Sequence, residues 1–148
     1  MKVTRYEEEE VQDLVSKNID NLVGPDTIFA LSGPLGAGKT TLVQNILSSL
    51  GVLEPVVSPT FSYVNRYRLL NGDLVFHFDL YRVGSSYDFC SLGFSEMINQ
   101  KGVCAFIEWP EVISSELDDL SAIKKIYKIN VDYDDENLRY RLISISKW

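Results

Sequence analysis

The sequence predicts an α/β fold of three layers, with a mostly parallel central sheet plus antiparallel hairpin strands. The aliphatic segment 27–31 precedes a glycine-rich loop, after which apolar residues recur at helical spacing. The continuous apolar run 103–107 is typical of a strand buried on both faces of a parallel sheet. Turn signals at Asn71-Gly72 and at 134–137 each separate two segments of strand character, which predicts two hairpins.

Composition and charge narrow the class of protein. The chain has 148 residues, of which 45% are hydrophobic, and this content predicts one globular domain over residues 1–148. The net charge of -7 argues against a large nucleic-acid surface, although it does not exclude action on RNA inside a complex. Because no apolar run reaches membrane-spanning length, we expect no membrane association and a cytoplasmic location.

Cysteine and histidine usage argues against several kinds of catalytic site. Cys90 and Cys104 lack C-x-x-C spacing and have apolar neighbours, so we expect two buried, reduced thiols. His77 is the only histidine, which leaves a zinc cluster or a Ser-His-Asp triad poorly supported. We interpret His77 as an ordinary strand side chain.

The N-terminal segment predicts a helix. Thr4 and Glu7 have the spacing of a capping box, and the following acids suit the first turn of a helix. One apolar stripe then extends along the predicted helix through Val11, Leu14, Val15, Ile19 and Leu22. Gly24-Pro25 ends this helix before the first buried strand.

The loop after that strand fits G-x-x-x-x-G-K-[ST] from Gly33 to Thr40. Gly36 and Gly38 allow the backbone to curl, so that successive N–H groups point at one anion. Lys39 would reach the β- and γ-phosphates, and the Thr40 hydroxyl would ligate Mg²⁺. The motif therefore predicts a P-loop NTPase-like fold that binds a nucleotide with Mg²⁺.

The remaining elements follow from local patterns. Gly51 is expected to cap the helix that starts in the loop. We then expect antiparallel strands Phe61–Leu70 and Leu74–Asp79, two short helices separated near Gly93, a strand from Val103 to Glu108, a helix over 112–120, and a terminal hairpin of strands 125–133 and 138–146.

Two acids end predicted strands and could serve a bound nucleotide. A phosphate loop needs a partner carboxylate for Mg²⁺ at the end of a neighbouring strand. We place Glu108 on Mg²⁺, directly or through water, and Asp79 where it helps to order Mg²⁺ or the attacking water. Thr60 lies in a proline-stiffened loop and could sense the γ-phosphate. Each of the three could instead be a plain strand-end or turn residue.

Trp109 and Arg82 have open interpretations at this point. The Trp109 ring could pack on a nucleotide, line a partner surface or lie in the core. The Arg82 guanidinium could pair with a phosphate or with Asp79.

Several motifs together resemble the bacterial TsaE (YjeE) family in order and spacing. They are Gly36-Ala37-Gly38-Lys39-Thr40-Thr41, Ser58-Pro59-Thr60-Phe61, His77-Phe78-Asp79-Leu80-Tyr81-Arg82, Leu92-Gly93 and Glu108-Trp109-Pro110-Glu111. The resemblance covers roughly residues 27–111. The phosphate loop alone is common to many proteins, whereas its combination with the other motifs is highly specific.

The resemblance implies a small P-loop ATPase, weak alone, that acts with the TsaD and TsaB proteins. Together they form N6-threonylcarbamoyladenosine beside the anticodon of tRNAs that read codons starting with A, and the ATPase meets tRNA indirectly, through the complex. Lys39, Asp79 and Glu108 would be catalytic, and Thr40 and Glu108 would hold Mg²⁺. ATP would contact Gly36, Ala37, Gly38, Lys39, Thr40, Thr41, Thr60, Asp79 and Trp109.

The chain departs from the family pattern at two positions. Pro34 stands where the family usually has Asp, and Val11 where many relatives carry a Thr that approaches the nucleotide. Because the key loop donors lie after Leu35, we expect ATP binding to survive.

Other functions remain open on the same loop. A small P-loop kinase would need an arginine-bearing lid, and no arginine-rich segment is evident. A nucleotide-gated interaction module without essential hydrolysis is the other alternative. A GTPase is disfavoured because the sequence has no N-K-x-D segment.

Overall fold

The computed structural model describes residues 2–148 and contains a seven-stranded mixed sheet with helices on both faces. The strands are β1 (Val3–Glu7), β2 (Thr27–Ser32), β3 (Val64–Arg68), β4 (Leu74–Asp79), β5 (Cys104–Glu108), β6 (Lys125–Tyr133) and β7 (Tyr140–Lys147). The helices are α1 (Val11–Asn18), α2 (Lys39–Ser49), α3 (Ser86–Ser91), α4 (Phe94–Asn99) and α5 (Ser114–Leu120).

The strand order is β1-β7-β6-β2-β5-β4-β3. The central strands β6, β2, β5 and β4 are parallel to one another. Antiparallel pairs complete both margins, since β3 pairs with β4 on one side, and β7 pairs with β6 and β1 on the other. The predicted fold class is therefore confirmed, including its hairpin strands.

The central strand β2 shows why the molecule has three layers. Its side chains alternate between faces, so Phe29 and Leu31 pack with α1 and α2, whereas Ile28 and Ala30 pack with α3, α4 and α5. Phe29 and the facing Phe106 of β5 are stacked, with ring centroids 4.8 Å apart. A strand buried on both faces places its carboxyl end, and the loop that follows, in a fixed position.

The N-terminal prediction is wrong at its start. Residues 3–7 form the strand β1, which pairs antiparallel with β7, and α1 begins only at Val11 after a 3-10 turn at Glu8–Glu10. The capping box forms three residues later than predicted, between Glu7 and Glu10, where the Glu7 N–H donates to Glu10 Oε2 at 2.8 Å. Pairing with β7, whose register partners lie 133 to 141 positions further along the chain, overrides the local helix signal, and a local pattern cannot show such a partner.

The remaining elements agree closely with the predicted order. The first hairpin strand begins at Val64 rather than at Phe61, because the preceding loop extends through Tyr63. The second strand of the terminal hairpin begins at Tyr140 rather than at 138. Gly51 follows α2 with a φ of 86°, as expected of a C-terminal cap. Within residues 2–148, none of the helices has the length and apolarity needed to cross a membrane.

Candidate nucleotide site

The glycine-rich loop leaves β2 at the carboxyl edge of the parallel strands, where ligand sites of such sheets lie. Gly33 is required by its surroundings, since a Cβ there would lie 1.9 Å from the Val131 carbonyl oxygen and its φ is 141°. The Tyr133 hydroxyl donates to the Leu35 carbonyl at 2.8 Å, so β6 holds the loop from its other side. The loop is thus anchored before any ligand binds.

Lys39 begins α2 and is buried to 5% exposure. Its ammonium donates to the carbonyls of Gly33 at 2.7 Å and Pro34 at 2.8 Å, and lies 4.4 Å from the Trp109 ring centroid. Burial lowers the pKa of Lys39, and the nearby carboxylates of Glu108 and Asp79 oppose this shift. Pro34 lacks an N–H, but Lys39 uses only its carbonyl, so a proline at this position does not disturb the contact.

Thr40 and Glu108 meet directly, although they come from different elements. The Thr40 hydroxyl lies 2.8 Å from Oε1 and 3.0 Å from Oε2 of Glu108, which ends β5. Glu108 is 3% exposed and its neighbour in the register of β4 is Asp79. Parallel pairing therefore brings both predicted carboxylates to the start of α2.

Asp79 is also buried, and each of its oxygens accepts a hydrogen bond. The Thr60 hydroxyl donates to Oδ2 at 2.8 Å, and the Tyr81 N–H donates to Oδ1 at 3.0 Å. The Ser58 and Thr60 hydroxyl oxygens lie 2.6 Å apart. The proline-stiffened loop is therefore fastened to the end of β4 through Thr60.

One open cavity collects almost all of the predicted site residues. It is lined by Leu35, Gly36, Gly38, Lys39, Thr40, Thr41, Thr60, Asp79, Tyr81, Glu108 and Trp109. Ala37 does not line it and is fully buried. Ala37 instead lines a second cavity, which shares Gly36, Gly38 and Thr41 with the first. The roles assigned to these residues stay predictions, whereas their proximity is a finding.

A family model described as "Threonylcarbamoyl adenosine biosynthesis protein TsaE" matches residues 6–142. The chain belongs to the TsaE family. A TsaE protein from Haemophilus influenzae is 34% identical over 114 residues, which cover 77% of this chain and 68% of that protein. A relative of the same name from Rickettsia felis is 35% identical over 133 residues, covering 89% of this chain and 72% of its own. Both are named as tRNA threonylcarbamoyladenosine biosynthesis proteins.

A solved structure of Bacillus subtilis YdiB shares the fold. It superposes with a TM-score of 0.70 at 25% identity and covers 99% of this chain and 86% of the YdiB chain. The TsaE resemblance inferred from the motifs is therefore confirmed by the family model and the relatives, and the fold is confirmed by the solved structure.

The donor set of this TsaE chain suits Mg²⁺ rather than a soft metal. A hydroxyl and carboxylates are hard oxygen ligands, and Mg²⁺ is usually held by one or two carboxylates together with substrate phosphates. The described residues contain no group of three or more His, Cys, Asp or Glu that could hold a metal ion.

Some residues beside the site were not assigned to it from the sequence. His77 is an ordinary member of β4 by position, yet its Nε2 lies 2.7 Å from Glu108 Oε1. Arg139 and Arg141 line the second cavity from the terminal hairpin, together with Tyr6 of β1. Sequence spacing could not predict that the two arginines lie beside the site, because only the order of strands in the sheet brings β1 and β7 near the loop.

One other expectation is corrected by the structure, namely the burial of Cys90. Cys90 is exposed on α3, whereas Cys104 is buried as predicted. Of the residues of α3 only Phe89 is buried, so the short helix turns one position to the core and presents Cys90 to solvent.

Arg82 forms no ion pair with Asp79 within residues 2–148, and its pairing with a phosphate stays a prediction. Its guanidinium lies over the Phe61 ring, 4.4 Å from the centroid.

Proposed function

We propose that residues 1–148 act as one P-loop ATPase domain that binds ATP with Mg²⁺ and hydrolyses it in support of tRNA threonylcarbamoyladenosine formation. The observation that carries the proposal is the contact of the Thr40 hydroxyl with the buried Glu108 carboxylate at the start of the loop helix. A hydroxyl and a carboxylate brought together there are the pair that a P-loop uses for Mg²⁺.

The triphosphate would bind across the loop from Gly36 to Thr41. Backbone N–H groups and the N-terminus of α2 favour an anion at this position. Lys39 would exchange its bonds to the Gly33 and Pro34 carbonyls for bonds to the β- and γ-phosphates. Because the ammonium is already held within the loop, the exchange needs only a small movement of a flexible side chain.

The second cavity would take the nucleoside. It lies on the other side of the loop and is lined by Tyr6, Val11, Arg139 and Arg141. Because it shares Gly36, Gly38 and Thr41 with the first cavity, one nucleotide could occupy both, with its phosphates on the loop. Val11 gives this cavity an apolar wall where many relatives carry Thr.

Hydrolysis would be mostly positioning and charge stabilisation. Water attacks the γ-phosphorus as the bond to the β-phosphate oxygen breaks, which gives ADP and inorganic phosphate. Asp79, held by Thr60 and the Tyr81 N–H, would orient that water through its remaining lone pairs. Lys39 would stabilise charge on the phosphate oxygens. Bound Mg²⁺, held by Thr40 and Glu108, would neutralise charge on the β- and γ-phosphates.

The partners would be TsaD and TsaB, with tRNA reached through their complex. Two large side chains that line the first cavity are also exposed, Leu35 to 66% and Tyr81 to 51%, and Phe61, which follows the lining residue Thr60, is 81% exposed. Such side chains suit a surface that a partner covers. The net charge of -7 fits indirect rather than direct contact with tRNA.

The experiment is a reconstituted modification reaction with TsaB and TsaD from the same organism, tRNA, threonylcarbamoyl-adenylate and ATP. With the wild-type protein we expect more than one molecule of modified tRNA to form per molecule of TsaD. With Lys39→Ala we expect the amount of modified tRNA not to exceed one per TsaD. Lys101→Ala, an exposed lysine outside the site, is the matched control. Equal product with wild type and Lys39→Ala would refute the ATP-dependent role, and phosphate transfer to a small acceptor would favour a kinase.

A further inference from the structure

The only histidine of the chain lies against the predicted Mg²⁺ carboxylate. His77 is fully buried in β4, and its Nε2 lies 2.7 Å from Oε1 of Glu108 on the neighbouring strand β5. The side chain has no exposed surface, so it cannot touch a nucleotide in the cavity. Any role in the site must therefore act through Glu108.

The partners of the ring specify where its hydrogen lies. An ionised carboxylate only accepts hydrogen bonds, so the ring nitrogen that faces it must be the donor. The other nitrogen, Nδ1, is buried and has no hydrogen-bond partner among residues 2–148. A buried N–H without an acceptor costs more than a buried lone pair on a neutral ring. Both observations favour hydrogen on Nε2 and a bare lone pair on Nδ1.

The bond leaves the two oxygens of Glu108 unequal. Oε1 accepts from His77 and from Thr40, whereas within the described chain Oε2 accepts from Thr40 alone, at 3.0 Å. The carboxylate is therefore held in one orientation, with Oε2 as its less committed oxygen. Hydrogen bonds that orient a ligating carboxylate in this way tune metal affinity.

We propose that His77 is a positioning residue, which donates from Nε2 to Glu108 and fixes that carboxylate so that Oε2 is presented to a divalent cation. This inference rests on the proposed Mg²⁺–nucleotide site. The alternative is that His77 only fills space in the core, in which case the position of the hydrogen-bond donor would have no effect on metal affinity.

The first test uses NMR to determine which ring nitrogen of His77 carries the hydrogen, in the protein without nucleotide or metal. Because the chain has one histidine, ¹⁵N-histidine labelling gives signals from His77 alone. We expect Nε2 to carry a slowly exchanging proton and Nδ1 to carry none. Glu108→Gln should shift the Nε2 signal strongly, because it changes the acceptor. Hydrogen on Nδ1 with a bare Nε2 would overturn the proposal, since Glu108 could not then be accepting from the ring.

The second test uses two variants that differ in where a donor can sit. In His77→Gln the amide nitrogen can occupy the position of the imidazole Nε2, whereas in His77→Asn it reaches only the position of Nδ1. Both place an amide in the same buried site, so their folding costs are closely matched. The probe is Mn²⁺ with ADP, measured by electron paramagnetic resonance of free Mn²⁺.

We expect His77→Asn to weaken Mn²⁺ affinity about 10-fold or more, the usual effect of removing an outer contact to a metal ligand. His77→Gln should retain most of the affinity, and excess Mg²⁺ should restore ATP hydrolysis in His77→Asn. Equal affinity in both variants and wild type would overturn the positioning role. Failure of the proposed function would look different, since wild type itself would then neither bind Mn²⁺ with ADP nor hydrolyse ATP.

Discussion

The Thr40 hydroxyl contacts both carboxylate oxygens of Glu108, at 2.8 Å and 3.0 Å, although 68 positions separate the two residues in the chain. The parallel pairing of β2 with β5 produces this contact, because Leu31 and Glu108 are partners in the register. The site is therefore built by the sheet rather than by the loop alone.

The first prediction concerns the carboxylate itself. Glu108→Gln keeps the shape of the side chain but removes its charge, so we expect Mg²⁺-dependent ATP hydrolysis to fall ~10²–10³-fold, as on loss of a preorganised electrostatic group. Nucleotide binding without metal should change little. Phosphate release measures the rate of hydrolysis, and thermal melts with and without nucleotide, in the absence of metal, measure nucleotide binding. Asp119→Asn, which removes one exposed charge on α5, is the control, and an unchanged rate in Glu108→Gln would remove this residue from the site.

The second prediction concerns the contact between Thr60 and Asp79. Thr60→Val preserves the size of the side chain but removes the hydroxyl that donates to Asp79 Oδ2. A hydrogen bond to a charged group contributes about 1.5–3 kcal/mol, so kcat should fall roughly 10- to 100-fold if the contact orients Asp79 during hydrolysis. Thr60→Ser retains a hydroxyl and should keep most of the rate. A kcat equal to that of wild type in both variants would show that Thr60 is an ordinary turn residue.

The third prediction concerns the stability of the loop. Gly33→Ala would force a Cβ against the Val131 carbonyl oxygen and adopt a φ that L-residues rarely have. Overpacking and backbone strain each cost about 1–3 kcal/mol, so the free energy of unfolding should fall by about 2–6 kcal/mol. Urea titration measures the change. Gly24→Ala is the control, because no atom lies within 4 Å of its added Cβ, and a comparable loss there would contradict the steric explanation.

The fourth prediction concerns the two thiols. Cys90 is exposed, whereas burial raises the pKa of Cys104 to about 12. Since the thiolate is the reactive form, iodoacetamide should label one cysteine in the native protein and two after unfolding. The labelling of Cys104 should increase only as the pH rises toward 12. Cys90→Ser should retain ATP hydrolysis and show no native labelling, and rapid native labelling at Cys104 would contradict its burial.

The phosphate loop and both strand-end acids could be predicted from the sequence, because their signals are local. A glycine spacing, an apolar run that ends in Glu108, and a hairpin turn followed by Asp79 each lie within a few residues. The order of strands could not be predicted in the same way. The pairing of β1 with β7 joins distant segments, so the N-terminal strand was taken for the start of a helix.

The role of His77 was missed for a related physical reason. Its position in an alternating strand gives no sign of its neighbour, and only the register of β4 with β5 brings it to Glu108. The exposure of Cys90 was missed because the apolar neighbours of a residue in sequence do not specify which face of a short helix it occupies.

We propose that this TsaE-family chain couples ATP hydrolysis to work on a partner complex. The most direct measurement is Mg²⁺-dependent phosphate release from ATP by the pure protein, alone and with its TsaB–TsaD pair, with GTP and Lys39→Ala as controls. We predict slow turnover of ATP that the pair stimulates and that Lys39→Ala abolishes. ATP turnover that ignores the pair, or a rate that survives Lys39→Ala, would contradict the account.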